Sequence, residues 1–224
     1  MPLAAAEVCL LLTVSLALRA ARGRRPSQVS WAVAVGLFTV GAGALWYGSA
    51  FGWSAPTFRV YYVAGALLGV PWLALGQLQL LLARQTGAVL AVLLFLASAA
   101  GAAVVGETEL RGPVAGPALP DGRVLLPALP RVLVAVSNAA GALVLVAGLV
   151  VGVRRQWRAG AAGRSRATGL LLVLLGALVA GGGGALTFLG RAGANAVGIL
   201  VGLSLVYAGT TQAGRRVGRH RGAS

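Results

Sequence analysis

The chain has 224 residues, 58% hydrophobic and only 10% charged, with a mean hydropathy of +0.86. This composition excludes a soluble domain, whose surface must be wetted, and reads as an all-α polytopic membrane protein. The net charge of +15 excludes less, because its arginines lie between apolar runs, where they set topology against anionic headgroups; no nucleic-acid partner is implied.

All nineteen basic residues are Arg and none is Lys. Lysine codons are A-rich, so the bias points to a GC-rich genome of the actinobacterial kind and to the bacterial cytoplasmic (inner) membrane. The single Cys9 lies in an apolar run and has no internal partner for a disulfide.

The first run, residues 3–18, precedes its positive cluster of Arg19, Arg22, Arg24 and Arg25. It reads as a signal anchor with the N-terminus outside. Glu7 falls in its first turns, where the helix dipole favours a carboxylate. A second span covers 29–51, with Trp31 at one end and Trp46, Tyr47 and Trp53 at the other as interface aromatics.

After a turn over 52–57, the third span, 58–83, is the organising helix. Tyr62, Gly65, Gly69, Trp72, Gly76 and Gln79 recur at steps of three and four, which places them on one face. In lipid, burying Leu against Leu gains little, so a stripe of small and hydrogen-bonding residues marks a helix central to the bundle. Pro71 removes one amide donor and leaves the Leu67 carbonyl without its intrahelical partner, so a kink is expected.

The fourth span, 87–105, follows Arg84 and is almost featureless, which suits lipid contact. The segment 106–131 holds five prolines with Glu107, Glu109 and Asp121. It reads as an extended outer loop, either a cap or a tether. The fifth span, 132–153, carries Asn138, Gly141, Gly148 and Gly152 at helical spacing. A loop with five arginines leads to the sixth span, 168–189, and the seventh, 194–211.

The expectation is one membrane domain over 1–212, a seven-transmembrane-helix bundle with a basic cytoplasmic tail over 213–224. Fourteen arginines then fall inside and five outside, which satisfies the positive-inside rule with the C-terminus cytoplasmic.

Spans one to three and five to seven share a layout, and residues 41–52 align with 182–193. Gly65, Gly69 and Gly76 likewise align with Gly198, Gly202 and Gly209. A parallel 3+1+3 repeat of this kind resembles the sugar-transporting SWEET and PQ-loop carriers in arrangement across nearly the whole chain. Their Pro-Gln pair is absent, since Pro71 is followed by Trp72. The resemblance therefore implies topology, with substrate sites near the midplane between halves, and transfers no substrate. Microbial rhodopsins share the helix count, but no lysine is present to hold retinal.

Enzymatic chemistry is not expected. His220, the only histidine, lies in the tail, and no two carboxylates share a span. No cofactor or metal is implied. Uncharged groups remain, and Tyr62, Trp72, Gln79 and Asn138, with Arg59 at the outer rim, are the candidate ligand-binding residues.

The sequence thus points to a non-enzymatic membrane protein that binds a small neutral or amphipathic molecule in an intramembrane cavity, with its transport as a further expectation. The alternative is a scaffold or regulatory subunit of a membrane complex, its glycine faces receiving a partner protein's helices. The expected partners are the anionic bilayer and an unidentified small molecule or membrane protein.

Overall fold

The structure is a computed structural model that describes residues 26–158 and isolated helical positions among 10–18, 168–179 and 201–208. Most of the first, sixth and seventh expected spans, and the tail, lie outside the described residues. Among the described residues the regular elements are all helices, and four are long and apolar enough to cross a membrane. The chain divides at Val144/Leu145 into two compact units, and the contacts below belong to the first.

Helix α1 spans Pro26–Phe51. Its opening proline costs no hydrogen bond, because a first-turn amide has no intrahelical acceptor. It stops at Gly52, whose φ of +94° suits a residue without Cβ and whose amide bonds the Gly48 carbonyl at 3.0 Å.

Helix α2 spans Ala55–Leu81. It begins a turn before the expected Phe58, because Ser54 caps it, accepting from the Thr57 amide at 3.4 Å, and Pro56 sits where no donor is needed. Within α2, residues Tyr61–Leu68 are π-helical, and α geometry resumes over Gly69–Leu81. The winding is thus widened on the N-terminal side of Pro71, while α geometry runs through Pro71 itself.

After a turn at Leu82 and Ala83, helix α3 spans Arg84–Glu107. A short helix α4, Gly122–Leu125, is capped by Asp121, whose Oδ1 accepts from the Arg123 amide at 2.8 Å. Helix α5 then covers Ala128–Arg158.

Among the described helices α2 is the most buried, with 33% of its membrane window covered against 28% for α1 and 11% for α3. One side of α3 carries exposed Val89, Val92, Leu93, Phe95 and Leu96, a lipid-type surface. The fourth span is not featureless, however. Gly87, Ser98, Gly101 and Val105 are buried on its other side.

The proline-rich segment folds over one end of the helices as a cap. Trp53, Phe58, Leu125 and Leu126 form a buried apolar cluster, with Leu110, Val114 and Leu119 packed around it. Two hydrogen bonds fasten it and a third closes it on itself. The Trp53 amide donates to Gly116 O (2.9 Å) and Arg59 Nη2 to Thr108 O (2.8 Å), while within the segment the Arg111 amide donates to Leu125 O (2.9 Å). Trp53, expected as an interface aromatic, is instead 4% exposed beneath this cap.

Candidate functional site

The stripe on α2 resolves into contacts with three neighbours. Against α1, the glycines make room for backbone and rings. A Cβ placed on Gly41 would stand 2.7 Å from Gly65 Cα, and one on Gly69 would stand 2.6 Å from the Phe38 ring. Gly76 accommodates the Trp31 ring, whose Nε1 donates to Leu73 O at 3.3 Å. Rising positions on α2 thus meet falling positions on α1, and the pair is antiparallel.

The polar members of the stripe point elsewhere. Trp72 Nε1 donates to Ser98 Oγ on α3 at 3.2 Å, and Ser98 passes its own proton to Leu94 O at 2.7 Å. Gln79 Oε1 accepts from Ser30 Oγ on α1 (2.9 Å), while its Nε2 donates to Gly87 O on α3 (3.4 Å). Each such tie in a membrane interior contributes about 0.6–2 kcal/mol. Tyr62 lies at the capped end, 5.8 Å centroid to centroid from Phe58 and against Gly122 of α4. Arg59 bonds Thr108 O at the end of α3.

The contact with α5 is of a different kind. Asn138 Nδ2 donates to Ala66 O at 2.8 Å. Ser137 Oγ shares its proton between Val134 O (3.2 Å) and Leu67 O (3.5 Å), so its reach to α2 is weak. One turn on, a Cβ on Gly141 would stand 2.8 Å from Val70 Cγ1. Positions rise together on both helices, so α2 and this part of α5 run parallel.

The side chains of α5 reach main-chain carbonyls of α2 at Ala66 and Leu67. Pro71 leaves the Leu67 carbonyl without its helix donor, and Ala66 O, in the π-wound stretch, accepts from Asn138. The sequence located the Leu67 shortfall through Pro71, whereas the π winding leaves no residue signature.

The five candidate residues are therefore not gathered about one space. Tyr62 belongs to the cap, Arg59 and Trp72 to the contact with α3, Gln79 to the junction of α1, α2 and α3, and Asn138 to the seam between α2 and α5. Among the described residues, four buried side-chain atoms have no hydrogen-bond partner: Gln28 Oε1, Trp53 Nε1, Arg59 Nε and Asn138 Oδ1. Of these, Asn138 Oδ1 is an acceptor placed at a break in a helix. An unmet buried polar atom costs about 1–3 kcal/mol, so this oxygen is a natural place for a hydrogen-bond donor to enter.

The donor set along this seam is neutral: an amide, a hydroxyl and main-chain carbonyls. Among the described residues, no three His, Cys, Asp or Glu side chains cluster. No family model matches the chain, and neither a curated protein nor a solved structure matches it.

Proposed function

We propose that the chain is a seven-helix protein of the bacterial cytoplasmic membrane, N-terminus outside, that binds a small neutral or amphipathic molecule in the α2–α5 seam. Transport of that molecule is the role the parallel 3+1+3 layout favours, and no enzymatic step is assigned. The supporting observation is the unpartnered Asn138 Oδ1, an amide acceptor beside the π-wound stretch of α2. A neutral donor with an apolar body meets both its polarity and its depth, because no charge is needed to satisfy an amide oxygen. Of the sequence candidates, Asn138 carries the ligand contact, and Trp72, Gln79 and Arg59 position the helices around it.

A second reading, a scaffold or regulatory subunit, is favoured by the same ties. Trp72, Gln79 and Arg59 are engaged within the chain, and α3 offers an apolar face to a partner helix or to lipid.

Native mass spectrometry after gentle extraction separates the two. A small-molecule adduct lost in Asn138→Leu, but retained in Gln79→Leu, is the expected result for binding at the seam. Gln79→Leu also breaks an interhelical tie, so it controls for general loosening. An adduct retained in both variants or lost in both removes the seam as the site. A second polypeptide in fixed ratio, without a small-molecule adduct, establishes the subunit reading instead.

A further inference from the structure

We propose that α2 is a jointed helix and that α5 holds the joint, so that the position of α5 sets the bend of α2. The two limbs have different attachments. The first, Ala55–Leu68, is held at the cap through Phe58 and through Tyr62 against Gly122, and against α3 through Arg59 on Thr108 O and Leu67 on Gly101. The second, Gly69–Leu81, is held by Phe38, Trp31 and Ser30 of α1 and by Ser98 and Gly87 of α3.

At the joint, the contact with α1 is Gly41 on Gly65, two residues with no side chain to interlock. Here α2 is also π-wound, and Pro71 leaves the Leu67 carbonyl without its helix donor. Side chains of α5 reach this stretch, strongly from Asn138 to Ala66 O at 2.8 Å and weakly from Ser137 to Leu67 O at 3.5 Å. Gly141 lets α5 lie close enough to Val70 to deliver them. Sharp bends in helices occur where a proline or an inserted group interrupts the ladder, and here the interruption is bridged from outside.

Asn138 is accordingly a positioning residue for α2. A donor bound at its Oδ1 would polarise the amide and strengthen the Nδ2–H bond to Ala66, linking occupancy to bend. This link rests on the ligand reading above; the joint itself does not.

The test needs no ligand. With Cys9 replaced by Ser, spin labels at Val60 and Leu80, both exposed on α2, stand about 30 Å apart along a straight helix. Their separation is measured by electron paramagnetic resonance in lipid nanodiscs. Asn138→Ala is expected to broaden the distance distribution and to lower the folded-to-unfolded ratio about five- to tenfold.

In the Pro71→Ala background, where the Leu67 carbonyl regains a main-chain donor and the helix beside Ala66 is stiffened, the same substitution should leave the distribution narrow. An unchanged distribution in Asn138→Ala, or equal broadening in both backgrounds, overturns the proposal. If Asn138→Ala proves too unstable to label, Asn138→Asp, which keeps the size but removes the donor, is labelled in its place and is expected to broaden the distribution in the same way.

Discussion

Gly41→Ala is expected to destabilise the protein by about 2–3 kcal/mol, the range for overpacking a tightly fitted contact, although it adds one methyl group. The new Cβ would stand 2.7 Å from Gly65 Cα and 3.0 Å from Gly65 N. Both are backbone atoms of a helix, so no rotamer change relieves the clash, and α1 and α2 must move apart. Separation also loosens the Phe38–Gly69 and Trp31–Gly76 contacts along the same seam.

Two neighbouring substitutions make the prediction specific. Gly43→Ala meets nothing within 4 Å and should be neutral or stabilising by up to about 1 kcal/mol, since Ala is the better helix former. Gly65→Ala, on the other side of the same contact, places its Cβ 3.5 Å from Gly41 Cα, an ordinary distance, and should be well tolerated. Reversible unfolding in bicelles measures all three. Equal effects from Gly41→Ala and Gly43→Ala would show that the helices do not meet where the structure joins them.

The glycine seam was legible because lipid makes small residues the signal of helix contact, and Gly65, Gly69 and Gly76 each meet α1. The polar members of the stripe meet other neighbours for a geometric reason. A step of three residues falls about 60° short of a full turn. Trp72 and Gln79 therefore sit to one side of Gly69 and Gly76, the side that meets α3, and Tyr62 lies at the capped end beside Phe58.

In α3 the buried Gly87, Ser98 and Gly101 were overlooked because a chain rich in Ala and Gly hides a stripe among similar residues. The cap was foreseen only as one of two alternatives. Its apolar residues are scattered over the loop and α4, and no periodicity joins them. Asn138 stood out as a polar residue inside an apolar run, but its bond to Ala66 O depends on the parallel approach of α2 and α5, which composition does not encode.

Phe58→Ala is expected to release the cap while leaving the seam between α1 and α2 assembled. Phe58 is 1% exposed at the centre of the cluster with Trp53, Leu125 and Leu126, and truncating a buried Phe to Ala costs about 3–5 kcal/mol. The three hydrogen bonds of the cap contribute a similar total, about 1 kcal/mol each and more for the charged Arg59 donor, so losing the ring removes about half of what holds the loop.

The seam contacts at Gly41, Phe38 and Trp31 involve none of these residues, so the helices should persist. Arg111 and Arg123 are exposed in the cap, and trypsin acting on protein in nanodiscs reports the opening. A rise in cleavage of about a hundredfold or more follows from the lost stability if cleavage tracks the open population. Trp53→Phe should differ sharply from this. It keeps an aromatic ring in the cluster and removes an indole N–H that has no acceptor, so the lost packing and the relieved desolvation oppose each other. If Phe58→Ala is cut no faster than the unaltered protein, the cap is held by its hydrogen bonds. Arg59, whose guanidinium reaches Thr108 O, then becomes the residue on which the cap depends.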